Sequence, residues 1–491
     1  MALSDDDKQQ LVERGIPLSR FNKQLEQLRA GAAWLKLERP CTPNDGILQI
    51  DPAEHPSLIK HFTEAIAAGR LTRFIPASGA ATRMFKPLYQ AQADNLRLFV
   101  ERLRDFAFYS ELEKCLDETG FEIERLINDE DVDKIIGALL ERQGLGYALL
   151  PKALLAFHVV ADGLRTPFIE HQAEAALLSG LDSTVSLHFT VSPEHLPLFN
   201  AQAAAWRETL HSTYGCDFDL TYSTQHACTN TPALDDEQLL RSADGKLQLR
   251  HGGHGALIEN LHALDADIVL IRNIDNVVPD ARKADNLLWG RIMIGYLAQL
   301  QQEQFAILKA LHDQPDDPLA RDLAFSFLCD RLQLNVPFDL DSESLRDLLD
   351  RPLRVCGMVP NSGEPGGGPF WVKDAKGKVS RQIVEGSQVN VKDTKQADIL
   401  AQATHFNPVD LVCGLRDWRG QAYDLSRFVD DEAVIISNKT LAGRKLRTLE
   451  LPGLWNGAMA GWHSVFVEIP PQCFNPVKTV FDLLRPAHIA D

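Results

Sequence analysis

The sequence predicts an α/β protein built on a doubly wound sheet, and two observations lead to this prediction. Runs rich in β-forming residues at 71–75, 185–191, 217–222 and 267–272 alternate with segments whose apolar residues recur at helical spacing. Such alternation is typical of sheets whose strands are connected by helices. The last run is apolar enough to be a central, parallel strand of that sheet.

Helical spacing also predicts an N-terminal segment and two insertions. Residues 1–66 are expected to form a helical segment, for which Ser4 is the N-cap of the first helix. Blocks rich in Leu at about 88–148 and 281–350 are expected to be helical insertions in a larger domain, residues 67–430. The insertions therefore interrupt the sheet-forming part of the chain twice.

Two further elements are predicted from local signals. Thr166-Pro167-Phe168 is expected to open a helix that continues through Leu178. From Arg354 the chain becomes richer in Gly, Val and aromatic residues, and Trp371 to Val389 predicts a hairpin that turns around Ala375-Lys376-Gly377.

Composition and charge exclude several classes of partner and site. The 491-residue chain has a formal net charge of −18, which disfavours nucleic acid and anionic membranes as partners. Eight cysteines are scattered without a CxxC pair, which argues against a zinc site or disulfides and for a reducing compartment. The acidic start and the lack of a long apolar run predict a cytoplasmic protein.

The stretch Phe74 to Met84 predicts a strand, a loop of small residues and a helix. Unpaired N–H groups and the helix dipole at such a junction favour an anion, and Arg83 adds a bidentate donor. The alternative is a plain tight turn before a helix. Because GxxxxGK[ST] is missing and GxGxxG does not occur at this junction, neither a P-loop nor a dinucleotide fold is indicated.

A carboxylate follows the most apolar predicted strand. Ile268 to Ile271 leads into Asn273-Ile274-Asp275-Asn276, so Asp275 is expected at the carboxyl edge of the sheet, where open α/β sheets bind ligands. A carboxylate there suits Mg²⁺ held together with substrate phosphates. The alternative is an Asp that only caps the end of the strand.

Three other stretches are ambiguous when each is taken alone. Lys152 follows Pro151 and is most simply a solvated lysine, as is Lys478 in 474–479. The stretch 251–255, His-Gly-Gly-His-Gly, is either a flexible loop or one that contacts a ligand. Its two histidines have no third ligand nearby in the sequence, which argues against zinc.

Taken in order, these stretches resemble the eukaryotic-type UDP-glucose and UDP-sugar pyrophosphorylases, a GT-A-like family of nucleotidyltransferases. They also resemble a bacterial family of domains of unknown function. The resemblance runs from about residue 70 to 485 and is carried by the following segments: 76–84, Pro151-Lys152, 166–171, Ser223-Thr224-Gln225, 253–255, 273–276, Gly367-Gly368, 383–385, Phe406-Asn407, 476–479 and 482–484.

The resemblance implies a role for each matching residue. A C-terminal segment, residues 431–491, is expected to return to the active site of the catalytic domain 67–430. Asp275 is implied as the ligand of Mg²⁺. The implied catalytic cations are Arg83, Lys152 and Lys478; the nucleotide contacts are Ala77, Ser78, Gly79, Ala80, Thr82, Gln225, Gly253, Gly255 and Asn276; the sugar contacts are His254, Gly368, Glu385 and Asn407.

The sequence departs from the family pattern in three places. Ala81 stands where the family has a second loop glycine, so the loop is expected slightly farther from phosphate. The first helical block separates Met84 from Lys152 by more than is usual. Few residues follow Lys478, so the β-helix tail of many relatives is expected to be missing.

The implied reaction joins a nucleoside triphosphate, with UTP as the expected one, to a sugar 1-phosphate and releases pyrophosphate. Two alternatives remain open from the residues. One is a pseudoenzyme that binds nucleotide-sugar without turnover, which Ala81 in the loop keeps open. The other is a GT-A glycosyltransferase, although Asp275-Asn276 followed by Asp280 is a poor version of its DxD metal motif.

Overall fold

The computed structural model describes residues 3–31, 33–90, 92–315, 317–361, 363, 366–374, 377–441 and 444–489. The chain divides into two compact units, each assembled from three stretches of sequence. Unit 1 comprises Met1–Leu71, Gln225–Leu270 and Ile292–Ile469, and unit 2 comprises Thr72–Thr224, Ile271–Arg291 and Pro470–Asp491.

Helices occur in every part of the chain that was expected to be helical. In chain order they are α1 (Asp5–Glu13), α2 (Leu18–Ala30), α3 (His55–Ala67), α4 (Lys86–Tyr89), α5 (Ala93–Glu101), α6 (Tyr109–Glu118), α7 (Ile123–Asn128), α8 (Val132–Leu140), α9 (Pro167–Ser179), α10 (Leu196–Tyr214), α11 (Leu257–His262), α12 (Ala284–Asp313), α13 (Pro318–Ser326), α14 (Ser342–Leu349) and α15 (Thr394–Ala401).

Strands alternate with these helices, as the α/β prediction requires. In chain order they are β1 (Lys36–Pro40), β2 (Thr42–Pro43), β3 (Gly46–Leu48), β4 (Leu71–Pro76), β5 (His158–Val160), β6 (Gly163–Arg165), β7 (Thr184–Thr190), β8 (Asp217–Ser223), β9 (Ala233–Asp235), β10 (Gln238–Leu239), β11 (Ile268–Arg272), β12 (Leu353–Pro360), β13 (Gly368–Lys373), β14 (Val379–Val384), β15 (His405–Phe406), β16 (Asp410–Gly414), β17 (Ile435–Leu441), β18 (Arg444–Glu450) and β19 (His463–Glu468).

Unit 2 is built on the three parallel strands β4, β7 and β8, which lie side by side in that order. Their apolar side chains pack with α9 and α10 in a core that includes Phe168, Phe189 and Phe199. Helix α9 begins where the sequence predicted, because Thr166 Oγ1 accepts the Ile169 N–H and Pro167 occupies the first turn.

A buried ionic contact in unit 2 joins two strands to one helix. Arg73 of β4 lies 3.0 Å from the Glu174 carboxylate of α9, and Arg272 of β11 pairs with the same carboxylate. Burial would raise the pKa of Glu174, but the charges of Arg272 and Arg73 outweigh it and hold that pKa below its usual range. Glu174 therefore remains charged and fixes the strands that lead to the loop after β4 and to Asp275.

The first predicted insertion forms a small helical layer of unit 2. Helices α5 to α8 lie within the expected range of 88–148 and bury Phe99, Leu112 and Ile135 in one apolar cluster. The same cluster includes Val477 and Val480. This layer therefore packs against the segment that contains Lys478.

Unit 1 contains a mixed sheet and two smaller antiparallel sheets. Strand β12 pairs in parallel with β19, which pairs in parallel with β3, and β12 pairs antiparallel with β16. A second sheet has the order β1-β13-β14, and a third has the order β10-β9-β18-β17. Leu11 of α1 and Phe21 of α2 pack with residues of the third sheet.

Most predicted elements are confirmed. The α/β class, the strands near 71–75, 185–191, 217–222 and 267–272, and the helical block at 281–350 all agree with the structure. Strands β13 and β14 confirm the hairpin, although Ala375 and Lys376 of its predicted turn lie outside the described residues. Within the described part of the chain, no helix has the length and apolarity that a membrane crossing requires.

The expectation of a wholly helical N-terminal segment was wrong for residues 36–48, which form β1, β2 and β3. Strand β1 pairs with β13 from Lys36↔Lys373 onward, and β3 pairs with β19 at Ile47↔Phe466. These partners lie hundreds of residues away, so the local apolar spacing contains no sign of them. Helices α1, α2 and α3 and the Ser4 cap are confirmed.

Candidate active site

The loop after β4 presents unpaired backbone donors to solvent. Ala77 N–H donates to Thr190 O, Ala81 N–H donates to Leu150 O, and the loop accepts the Lys152 N–H at Gly79 O. Between these anchors, Ser78, Gly79 and Ala80 are exposed. Their N–H groups donate to no acceptor among the described residues. Adjacent exposed N–H groups of this kind suit an anion.

Nothing in the surrounding structure requires glycine at position 79. Its φ lies outside the left-handed region, and a Cβ built there would meet no atom within 4 Å. Position 79 therefore has a glycine although the protein has room for a larger side chain there. This is the arrangement expected of a loop whose backbone approaches a ligand closely.

The predicted helix after this loop was wrong in length. Residues Ala81–Arg83 form a single 3-10 turn, and a separate short helix, α4, begins at Lys86. Pro87 explains the break, because its ring lacks an N–H and would clash with the carbonyl of Arg83 in a continuous helix. The helix dipole therefore adds little at this loop, and the N–H groups and nearby cations are the features that favour an anion.

The Ala81 methyl group does not obstruct the exposed face of the loop. Ala81 is fully buried and belongs to the apolar cluster of the helical layer. The substitution of the family glycine is therefore accommodated inside the protein. Arg83 and Thr82, in contrast, are exposed beside the loop, and Arg83 forms no ion pair with any described residue.

Lys152, Asp275 and Lys478 form one charged cluster in unit 2. Lys152 Nζ lies 3.0 Å from Asp275 Oδ2, and Lys478 Nζ lies 3.1 Å from the same oxygen. Lys152 Nζ also donates to Val477 O at 2.7 Å. Pro151, the residue before Lys152, forms a β-bridge with Ala80. The cluster therefore lies next to the loop after β4. The predicted grouping of these three residues is thus seen in the structure.

The two ammonium groups keep Asp275 ionised. Burial raises the pKa of the Asp275 carboxyl, but the charges of Lys152 and Lys478 outweigh this effect and hold the pKa below its usual value. The side chain of Asp275 is only 9% exposed, whereas that of Lys478 is 46% exposed. The cluster has one more positive charge than negative charge, and its exposed member is a cation.

Residues 473–480 reach this cluster through backbone contacts. Val477 N–H donates to Asp275 O, and Val480 N–H donates to Met84 O. The second contact places Val480, two residues after Lys478, beside Met84, which directly follows Arg83. The residues around Lys478 thus contact the segments of Asp275 and Arg83, and the return of residues 431–491 to an active site stays a prediction.

Asn276, which is implied as a nucleotide contact, uses its side chain for bonds within the protein. Its side chain is buried, its Nδ2 donates to Cys473 O at 3.1 Å, and its Oδ1 accepts the Asn475 N–H at 2.8 Å. Both ends of the amide are thus bound to the protein backbone. A nucleotide contact by Asn276 remains a prediction.

Two of the residues implied as sugar contacts, His254 and Glu385, lie close together in unit 1. His254 Nε2 lies 3.7 Å from Glu385 Oε1, and the His254 ring lies 4.3 Å from the Trp455 ring. Burial lowers the pKa of His254 to about 4. Burial, followed by the charge of Glu450, raises the pKa of Glu385. The imidazole is therefore neutral near pH 7.

Packing explains the glycines of this cluster. Gly253 has a φ of +72°, and a Cβ there would lie 2.7 Å from Glu450 Oε2. A Cβ at Gly255 would lie 2.1 Å from Pro452 O, and one at Gly368 would lie 2.9 Å from the Phe370 ring. Each glycine is thus required by a close approach within unit 1, whether or not a ligand binds.

The remaining implied residues of unit 1 contact the protein itself. Asn407 is buried, and its Nδ2 donates to Gly357 O, while its backbone N–H donates to Gly367 O. Gln225 Nε2 donates to Thr229 Oγ1 at 3.1 Å. Asn407 thereby fixes the glycine segment before β13. The implied ligand contacts of Asn407 and Gln225 stay predictions.

Sequence reasoning missed Trp455 and Asn456 as parts of these clusters, and it gave Asp482 no role of its own although 482–484 carries part of the resemblance. Asn456 Nδ2 donates to Ile383 O at 2.8 Å, which ties it to the segment of Glu385. Asp482 accepts the N–H groups of Lys478 and Thr479. The Thr-x-x-Asp spacing of 479–482 is a capping signal that could have revealed Asp482. Nothing local distinguishes Trp455.

The donor set of unit 2 fits Mg²⁺ only as an ion that is shared with a ligand. Among the described residues, no group of three His, Cys, Asp or Glu side chains is arranged to hold a metal. Asp275 supplies one carboxylate, and its Oδ1 receives only a longer contact of 3.4 Å from Lys478. Mg²⁺ in phosphate sites is commonly held by one or two carboxylates plus substrate phosphates.

Comparisons with known proteins give one family and several solved structures. The family described as "Domain of unknown function (DUF4301)" matches residues 4–489, and the comparison with curated proteins gives no match.

Three of the similar structures are from Leishmania major and Trypanosoma brucei, and others are also from Leishmania major. The UDP-glucose pyrophosphorylase of Leishmania major is 13% identical with a TM-score of 0.44, over 98% of this chain and 79% of that one. The uridine diphosphate N-acetylglucosamine pyrophosphorylase of Trypanosoma brucei, in complex with an inhibitor, is 14% identical with a TM-score of 0.48, over 98% and 79%. A UDP-glucose phosphorylase of Trypanosoma brucei is 13% identical with a TM-score of 0.46, over 99% and 78%.

Proposed function

The chain belongs to the DUF4301 family, and we propose that it is a cytoplasmic nucleotidyltransferase. It would join a nucleoside triphosphate, with UTP as the expected one, to a sugar 1-phosphate and release pyrophosphate. The observation that supports this proposal most directly is the pair of lysines on Asp275 beside a loop with unpaired N–H groups. The order of the motifs along the sequence supports the same reaction class.

The local charge suits a polyphosphate although the protein as a whole is acidic. The formal net charge of −18 repels anions at long range. In unit 2, however, two ammonium groups, those of Lys152 and Lys478, share the Asp275 carboxylate, and Arg83 is exposed on the loop. Cations and fixed backbone donors that are already in place stabilise phosphate charge without reorganisation.

Each group of the cluster has a role in an in-line displacement. The sugar-1-phosphate oxygen would attack the α-phosphorus, and the bond to pyrophosphate would break as the new P–O bond forms. The N–H groups of Ser78, Gly79 and Ala80, with Arg83, would bind the triphosphate. Lys152 and Lys478 would neutralise charge on the transferring and leaving groups, and no covalent nucleophile from the protein is needed.

Asp275 has two roles in this proposal. It holds both ammonium groups in place before substrate binds, and it is the residue that would hold Mg²⁺ together with the triphosphate. When bound, the ion would screen the phosphate charge and help to orient the phosphates. Binding of Mg²⁺ and orientation of the two lysines differ in the Mg²⁺ dependence that each predicts for Asp275→Asn.

The cluster in unit 1 is proposed to bind the sugar. His254 and Glu385 offer hydrogen bonds to hydroxyl groups, and Trp455 offers an apolar ring face beside them. Gly253 and Gly255 with Gln225 would contact the nucleotide, and Gly368 with Asn407 would shape the sugar side. These roles come from the resemblance of the motifs and from the proximity of the side chains within unit 1.

A pyrophosphate-release assay tests the proposal. The purified protein is incubated with Mg²⁺, each of four nucleoside triphosphates and a panel of sugar 1-phosphates. We expect pyrophosphate only when both substrates are present, and at least a hundredfold less with Lys152→Ala. Lys114→Ala, which removes an exposed lysine of α6, is the matched control.

Two other outcomes would contradict the proposal. Tight binding of a nucleotide-sugar without pyrophosphate release under any pairing indicates a binding protein. Transfer of sugar from UDP-glucose to an acceptor indicates a glycosyltransferase. The buried position of Ala81 removes the main reason to expect the first outcome.

A further inference from the structure

Lys478 has a well-placed ammonium group on a side chain that is largely unsupported. Its side chain is 46% exposed, and among the described residues its ammonium group has polar contacts only with Asp275. A flexible lysine of this kind is placed mainly by the backbone that presents it. The residues that fix this backbone therefore determine whether the ammonium group faces Asp275.

Two side chains hold the backbone before Lys478: the Lys152 ammonium group donates to Val477 O, and Asn276 binds the residues further upstream. Asn276 is 1% exposed, and its amide donates to Cys473 O and accepts from Asn475 N–H, at 3.1 and 2.8 Å. A bridge between Asn276 and Pro476 continues the contact. Because Asn276 directly follows Asp275, the same short stretch holds both the carboxylate and the segment of its partner lysine.

The backbone after Lys478 is held by another side chain. Asp482 Oδ2 accepts the N–H groups of Lys478 at 2.9 Å and Thr479 at 2.6 Å, and also the Thr479 hydroxyl at 3.1 Å. Arg485 lies 2.7 Å from the other oxygen of this carboxylate. Lys478 is thus fixed on both sides by buried polar side chains.

We infer that Asn276 is a positioning residue that delivers Lys478 to Asp275, with Asp482 as its counterpart on the far side. This inference extends the proposed function, since it assigns Asn276 to the placement of a catalytic cation rather than to the nucleotide. Asn276 acts on the reaction only through Lys478. The effects of substituting Asn276 and Lys478 are therefore expected to be coupled, not additive.

Hydrogen exchange of the 473–480 segment tests the placement without reference to activity. In Asn276→Ala we expect the Val477 and Thr479 N–H groups to exchange at least tenfold faster than in the wild type. Asn276→Asp retains the acceptor for Asn475 N–H but loses the donor to Cys473 O, so an intermediate rate is expected. Asn475→Ala is the matched control, because within the described part of the chain its side chain bonds only to Gln472 O, and its rates are expected to be those of the wild type.

A double-mutant cycle then tests the link to catalysis. Asn276→Ala is expected to lower kcat at least tenfold with little change in KM, and to have no further effect in Lys478→Ala. Wild-type exchange in Asn276→Ala and Asn276→Asp, or additive losses in the cycle, would overturn the inference. Weakened nucleotide binding with unchanged exchange would also overturn it, because Asn276 would then be a direct contact. If no nucleotidyl transfer is found at all, the exchange rates still decide the placement.

Discussion

Lys478 and Asp275 are 203 positions apart in the sequence, yet Lys478 Nζ lies 3.1 Å from Asp275 Oδ2. Lys152 contacts the same oxygen from a third part of the chain. A carboxylate between two ammonium groups keeps both cations ready for a ligand that carries more negative charge than one carboxylate.

Lys478→Ala is expected to lower kcat about a hundredfold or more and to change KM much less. An ammonium group that stabilises the leaving pyrophosphate acts most strongly in the transition state. Lys478→Arg is expected to rescue only part of the loss, since a planar fork replaces a point charge. Steady-state kinetics separate the two constants, and a rise in KM at unchanged kcat would assign Lys478 to ground-state binding only.

Asp275→Asn is expected to lower activity and also to destabilise the protein by up to about 3 kcal/mol, because two ammonium groups lose their buried counter-charge. Since the folded-state pKa of Asp275 is lowered, its stabilising contribution is present above the ordinary carboxyl pKa and is lost as pH falls below it. Denaturant unfolding at neutral and acidic pH measures both effects.

The Mg²⁺ dependence of Asp275→Asn distinguishes the two roles of this carboxylate. If Asp275 holds the ion, the variant needs a higher Mg²⁺ concentration for half-maximal rate, and excess EDTA abolishes wild-type turnover. If Asp275 only orients the lysines, the variant loses rate at an unchanged Mg²⁺ requirement. Full wild-type turnover in excess EDTA would remove the metal from the proposal.

Arg83→Ala is expected to weaken triphosphate binding tenfold or more, because a hydrogen bond to a charged group contributes roughly 1.5–3 kcal/mol. Calorimetry with UTP in the absence of sugar phosphate measures this loss. Arg142→Ala removes an exposed guanidinium from the same unit and is expected to leave the affinity near its wild-type value. Equal affinities for all three proteins would make Arg83 an ordinary surface cation.

Gly79→Val and Ala81→Val are expected to have opposite effects on binding and stability. A side chain at position 79 meets open space, so Gly79→Val should fold with an unchanged Tm but bind triphosphate poorly. Ala81 is fully buried, and overpacking at such a position typically costs about 1–3 kcal/mol. Thermal unfolding and calorimetry on both variants check this, and normal nucleotide affinity in Gly79→Val would argue against the loop as a phosphate site.

His254 is expected to remain neutral down to about pH 5, because burial lowers its pKa to about 4. Between that value and the unfolded value near 6.5, the unfolded chain binds more protons, so stability falls as pH falls through this window. The loss from this residue is at most about 3 kcal/mol. NMR titration of the imidazole checks the value, and a midpoint near pH 6.5 would contradict it. His254→Gln should remove this part of the pH dependence.

The sequence contains enough local information for the strand and loop at 71–80 and for α9. Their signals, a β-rich run, small residues and a Thr-Pro cap, act within a few residues of each other. The prediction of a helix from Ala80 to Met84 was wrong in length, because Ala81–Arg83 form only one 3-10 turn. Pro87, three residues after Met84, prevents this turn from joining α4 in one continuous helix. A wider reading of the same stretch would have found this.

Other features depend on pairing over long distances, which leaves no local trace. Strands β1 and β3 exist because β13 and β19 pair with them. The approach of Lys478 to Asp275 was expected only because the order of motifs resembles a known family; composition alone described Lys478 as solvated. Trp455 beside His254 was missed for the same reason, since only the folded chain brings them together.

The division of each unit into three stretches of chain has a consequence for biosynthesis. Unit 2 includes Pro470–Asp491, so a ribosome must translate 203 residues beyond Asp275 before Lys478 can meet it. A nascent chain that stops before residue 473 contains the loop, Lys152 and Asp275 but not the second ammonium group. The charged cluster therefore assembles only after residue 478 has been made, and a product that terminates before this residue is expected to be inactive.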